Sequence, residues 1–156
     1  MINYIIPIGS DCRIAQSLDR LNLRKTSLPF DYIYSDIEMI GDCLDNNFEN
    51  FLKKDNYIKY KKLGCINKFY KKKYPHFNML NDKMIETMQR RINRFENLFK
   101  SQNLKLFVHI SGMYKEKHIL KVNDFLKNRT TNYMLLVLMV KRQKYDQCIL
   151  KYKKDN

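Results

Sequence analysis

Cys12, at the end of the run Ile5-Ile-Pro-Ile-Gly-Ser-Asp-Cys12, is the residue of this chain best placed to do chemistry. The apolar run predicts a short buried strand, Gly9-Ser10 a tight turn, and residues 11–23 a helix. A thiol at a helix N-terminus lies near unpaired backbone N–H groups and the positive end of the helix dipole, and both favour the thiolate. The same position also suits a small apolar residue in a first helical turn. Spacing alone does not separate the two roles.

A cysteine nucleophile needs a base within hydrogen-bond reach, and usually a group that orients the base. His76 lies in an extended stretch after Pro75 and is the first candidate. His109, on a strand ending at Ile110, is the alternative base, and His118, flanked by Lys117 and Ile119 inside a helix, ranks last. Each also fits a purely structural or solvated role. Asp31, Asn78, Asn81 and Asp82 are candidates for the orienting group, although capping a turn is the commoner role for an Asp placed like Asp31. The backbone around Gly9, Ser10 and Asp11 offers N–H groups for an oxyanion or another anion. That turn matches neither the phosphate-loop nor the dinucleotide fingerprint.

The elements that must position these groups follow from periodicity. Ile14, Ala15, Leu18 and Leu21 make a helical stripe, with Ser10 placed to cap it. Pro29 keeps Leu28 extended. Ser35-x-x-Glu38 has the form of a capping box opening a second helix, which Asn46-Asn47 ends. Ile85, Met88, Ile92, Phe95 and Phe99 define a long helix from about Asn81 to Lys100. Leu104–Ile110 and Tyr133–Val140 read as buried strands on either side of a helix over 114–126, and a short strand is expected near 148–152. This order predicts an α/β three-layer sandwich with a mainly parallel central sheet. In such a fold the turns after Ile8 and after His109 share the carboxyl edge of the sheet, where sites gather.

The chain has 156 residues and a net charge of +14. That length suits a single domain spanning 1–156. The charge is uneven: nine Lys and one Asp lie between Lys53 and Lys73, and the tail from Lys141 carries six basic and two acidic residues. A basic Lys/Tyr-rich insertion at about 53–75 and a basic tail at about 141–156 therefore account for most of it. This argues against a uniformly basic nucleic-acid-binding fold. Cys12, Cys43, Cys65 and Cys148 form no C-x-x-C pair, so no zinc site, redox motif or cofactor is expected. Free thiols, no visible secretory signal and no apolar run long enough to span a bilayer point to a cytoplasmic protein.

The blocks Gly9-Ser10-x-Cys12, Ala15, Leu18, Leu23-Arg24 and Ser27-x-Pro29-Phe30-Asp31-Tyr32 resemble the opening of a papain-like cysteine peptidase family. That family is a domain of unknown function found in bacteria and large DNA viruses. His76-Phe77 is similar to its central histidine block, and Arg90–Phe95 and Leu106–Val108 to its later helix and strand. The resemblance implies an α+β papain-like fold, a Cys12 nucleophile with His76 as base, attack on an acyl carbonyl, and a host-cytoplasmic or virion location. Tyr32 replaces a frequent Trp, and Phe77 stands where a polar neighbour is expected.

A cysteine hydrolase or acyltransferase acting on a peptide or other acyl substrate is therefore the leading expectation, with Cys12, His76 and Asp31 as its machinery. The alternative is a non-catalytic basic binding or assembly protein. Lys59, Lys61, Lys62, Lys71, Lys72 and Lys73 would then meet nucleic acid or an acidic partner, with tyrosines stacking between them. The plainer account of that segment is a solvated surface. A third reading keeps the α/β fold but transfers an anionic group bound at the Gly9–Asp11 turn.

Overall fold

The computed structural model describes residues 1–9, 11–60, 64–111, 116–140 and 148–153. Ser10, Lys61, Lys62 and much of the basic tail lie outside the described residues. The principal sheet joins β1 (Tyr4–Pro7), β5 (Lys105–Ser111), β6 (Tyr133–Val140) and β7 (Cys148–Lys153), in that spatial order. β1, β5 and β6 run parallel, with Ile6 opposite Phe107 and Phe107 opposite Leu135; β7 returns antiparallel to β6.

Alternation along these strands sends two sets of apolar side chains to opposite faces. Val108 and Ile110 pack with Ile14 and Leu18 of α1 (Arg13–Arg20). Ile6, Ile8, Phe107, Leu135 and Val137 join the larger core. That core is built with α2 (Ile37–Asp45), α3 (Glu49–Leu52), α4 (Asp82–Lys100) and α5 (Glu116–Lys127). Within it, Phe30 and Phe48 both pack against Phe95, whose ring meets Phe99 edge-on at 4.8 Å.

The Lys/Tyr-rich segment forms a second sheet. β2 (Tyr57–Tyr60), β3 (Gly64–Asn67) and β4 (Lys72–Tyr74) pair antiparallel in that order. Its pattern now has a physical reading. Tyr57, Cys65 and Tyr74 are buried in the larger core, while Lys59, Lys71 and Lys73 face solvent. The chain is thus a mixed α/β protein with a four-stranded sheet, three of its strands parallel, and a separate antiparallel sheet, consistent with a papain-like α+β fold. A sandwich built on one mainly parallel sheet leaves this second sheet out.

Two helix starts differ from the sequence expectation. α2 is capped by Asp36, whose Oδ1 accepts from the Met39 amide at 2.9 Å. Ser35 instead turns inward and is buried. A carboxylate beside a helix N-terminus complements both the orphan N–H groups and the dipole, so Asp36 displaces its neighbour from the cap. The N-cap of α1 is Cys12 itself, with no side-chain cap. Asp11 Oδ1 accepts from the Arg13 amide at 2.9 Å, and Asp11 also pairs with the Arg13 guanidinium. α4 begins as expected, Asn81 accepting from the Lys83 amide.

Candidate active site

The turn after β1 requires its glycine. Gly9 has φ of +75°, and a Cβ there would sit 2.4 Å from Ile40 Cδ1 and 2.8 Å from Ser35 Oγ. A side chain would be strained by the backbone and blocked by α2 and the residue before its cap. Beyond the turn, Cys12 is half-buried at the start of α1. Cys43 and Cys65 are fully buried. Burial pushes the Cys43 thiol up to about 12 and also raises that of Cys65, which donates to the Phe77 carbonyl. Asp11 is itself partly buried, which pulls its pKa up. The hydrogen bonds and charge of Arg13 more than offset this and hold it below the ordinary carboxylate value.

The two histidine candidates occupy different surroundings. His109 is buried on β5, beside β1, and its Nδ1 lies 2.7 Å from the Ile8 carbonyl oxygen. A carbonyl only accepts, so Nδ1 carries the proton and Nε2 is the basic nitrogen of the neutral ring. His76 is exposed after β4 and meets the Tyr32 ring edge-on, with centroids 6.2 Å apart. Among the described residues neither imidazole hydrogen-bonds the Cys12 sulfur. His118 falls in α5, and its side chain lies outside the described residues.

Asp31 is completely enclosed, and its Oδ2 accepts from the Leu28 amide at 2.9 Å and from Arg24 Nη1 at 3.0 Å. Arg24 also reaches Asp19, and Asp19 accepts from the Tyr32 hydroxyl. These bonds close the Ser27–Tyr32 turn and fix Tyr32, which adopts a left-handed φ of +62°. Burial raises the Asp31 pKa; the Leu28 amide, Arg24 and Arg91 pull it back without cancelling the effect. Asp31 therefore contacts a backbone amide and an arginine rather than an imidazole. Its Oδ1 and Arg91 Nη1 are both buried without hydrogen-bond partners.

One short segment connects the two halves of the site. Tyr32 touches His76, Tyr34 lies within electrostatic range of Arg13, and Ser35 lies against Gly9. Among the described residues the buried Ser35 hydroxyl has no hydrogen-bond partner, and it lies beside the cysteine turn. Sequence reasoning missed Ser35, Tyr34 and Arg24. Arg24 was visible only as part of the Leu23-Arg24 block, and Ser35 was obscured by its apparent capping role.

Of the basic residues, Lys72 pairs with Asp36, while Lys59, Lys71 and Lys73 are exposed. Among the described residues no group of three or more His, Cys, Asp or Glu could hold a metal ion. No described helix is long and apolar enough to cross a membrane.

A family model described as "putative papain-like cysteine peptidase" (DUF1796) matches residues 3–145, and the chain belongs to that family. It is also similar to uncharacterized protein R408 of Acanthamoeba polyphaga mimivirus, with 47% identity over 47 residues. That alignment covers 30% of this chain and 21% of the viral protein, so the chain matches about a fifth of that relative's length. No solved structure matches the chain.

Proposed function

We propose that the chain is a cysteine hydrolase of peptidase type, with Cys12 as its nucleophile. The observation that carries this is the half-buried Cys12 thiol at the N-cap of α1, at the carboxyl end of β1, while Cys43 and Cys65 are buried and inert. A histidine takes the thiol proton and the thiolate attacks an acyl carbonyl carbon. The resulting oxyanion is met by backbone N–H groups at the start of α1. Collapse expels the amine, which takes the proton from the imidazolium, and leaves a thioester on Cys12. Water, deprotonated by the same imidazole, then releases the acid and restores the thiol.

His76 is the base favoured by the family block, and Tyr32 holds its ring. His109 is the alternative, favoured by its place on the strand beside β1 and by the bond that fixes its tautomer. Asp31 acts with His76 as a positioning residue, through the turn that sets Tyr32. The three-layer description of the principal sheet, with α1 as its thin layer, belongs to this reading, as does a cytoplasmic or virion location.

The test is hydrolysis of a fluorogenic peptide mixture by the wild type and by Cys12→Ser, His76→Ala and His109→Ala. Activity should vanish in Cys12→Ser and fall about 10²- to 10⁴-fold in His76→Ala. A loss confined to His109→Ala would move the base to that residue. Hydrolysis that survives Cys12→Ser would overturn the proposal.

A further inference from the structure

A cleft of about 610 Å³ opens beside the candidate site, lined by Tyr34, Tyr60, Lys71, Lys72, Lys73 and Pro75. Two of its lining residues adjoin that site along the chain. Tyr34 belongs to the segment that joins Tyr32 to Ser35, and Pro75 precedes His76. The charge in the cleft is only partly balanced. Lys72 is paired with Asp36, the Lys73 ammonium rests 5.3 Å from the centre of the Tyr60 ring, and Lys71 has no carboxylate partner among the described residues. Among the described residues, the Lys71 and Lys73 ammonium groups of this cleft therefore have no carboxylate partner.

We infer that this cleft receives an acidic peptide segment, the part of the substrate flanking the scissile bond; this rests on the hydrolase reading above. Charge complementarity selects an anionic occupant. The backbone selects a peptide rather than a nucleic acid. β4 carries Lys72 and Lys73 and is one of the two edge strands of its sheet, beside β3. An edge strand can accept an extended chain by main-chain hydrogen bonding while lysines meet its carboxylates. Tyr34 and Tyr60 supply apolar walls for the methylene portions of glutamate side chains.

The binding test uses Cys12→Ser, so that no turnover intervenes, with fluorescein-labelled octaglutamate, octaglutamine and a single-stranded oligothymidylate. Octaglutamate should bind at least about tenfold more tightly than octaglutamine, and K71E/K73E should remove that preference. K100E/K127E, with the same charge change at the carboxyl ends of α4 and α5, should leave it intact. Tighter binding of the oligonucleotide than of octaglutamate would overturn the inference in favour of nucleic acid, and insensitivity to K71E/K73E would overturn it outright. A hydrolysis arm separates the two claims. An acidic-peptide preference in binding with no Cys12-dependent hydrolysis rejects the hydrolase reading alone. Cys12-dependent hydrolysis that treats acidic and neutral peptides alike rejects the acidic-peptide inference alone.

Discussion

The imidazole of His109 is tied to the strand that leads into the cysteine turn, its Nδ1 donating to the Ile8 carbonyl at 2.7 Å. His76 is held differently, by one edge-on contact with Tyr32 at the surface. Substitution should separate them on stability. His109→Ala leaves the buried Ile8 carbonyl without that donor and opens a void, so urea unfolding should show a loss of about 1–3 kcal/mol. His76→Ala should stay within about 0.5 kcal/mol of the wild type. Equal losses would mean that the Tyr32 contact carries more of the fold than its exposure suggests.

Gly9→Ala tests the turn. The substitution combines a left-handed φ with a 2.4 Å approach to Ile40 Cδ1. Chemical denaturation should show a loss of at least about 2 kcal/mol, and peptide hydrolysis should fall because the start of α1 moves. An alanine variant of wild-type stability would mean that the turn relaxes freely and that its geometry is not imposed.

Asp31 gives a pH signature. Asp31→Ala leaves the buried Leu28 amide without its acceptor and Arg24 with Asp19 as its remaining carboxylate, and should cost about 1–3 kcal/mol at neutral pH. Asp31→Asn isolates the titration. Because burial raises the Asp31 pKa in the folded chain, the native state holds that proton more tightly than the unfolded chain does. The resulting stability is fully present below the unfolded pKa and is lost as pH rises through the folded value. The wild-type-minus-Asp31→Asn difference in unfolding free energy should therefore shrink as pH rises from about 4. A difference that grows over that range would contradict the burial effect.

How far the sequence could be read depended on how strongly each segment was patterned. α4, β5 and β6 were legible because Met88, Ile92, Phe95 and Phe99 repeat at helical spacing and the strands are apolar almost throughout. The parallel register also brings the turn after Ile8 beside His109, as element order predicted. The antiparallel sheet was ambiguous because its lysines and tyrosines alternate only in part, and burial of Tyr57 and Tyr74 depends on distant partners such as Phe51. Ser35 and Asp36 are both good caps, and only packing against Gly9 decides which turns inward. By its place in the sequence Asp31 suits both a catalytic orienter and a turn cap. Its bond to the Leu28 amide matches the second role, while the Arg24 pairing needed tertiary structure to appear.

Tyr32 offers a test of how the family block serves the site. Tyr32→Phe loses the hydroxyl bond to Asp19 but keeps the ring against His76. Its hydrolytic activity should stay within about twofold of the wild type, since an exposed bond of this kind is worth about 0.5 kcal/mol. Tyr32→Ala removes the ring and should lower activity by at least about tenfold if His76 is the base. Equal activity in both variants would detach Tyr32 from the chemistry.

The alkylation rate of Cys12 tests whether it is an activated nucleophile. Native protein is treated with iodoacetamide from pH 5 to 9, and adducts are located by peptide mass mapping. Cys12 should be labelled first, at a rate still substantial near pH 6 and reduced by His76→Ala, while Cys43 and Cys65 react only after unfolding. Labelling of Cys12 no faster than Cys148 at neutral pH, with a rate that rises only near the pKa of an ordinary thiol, would rule out Cys12 as an activated nucleophile.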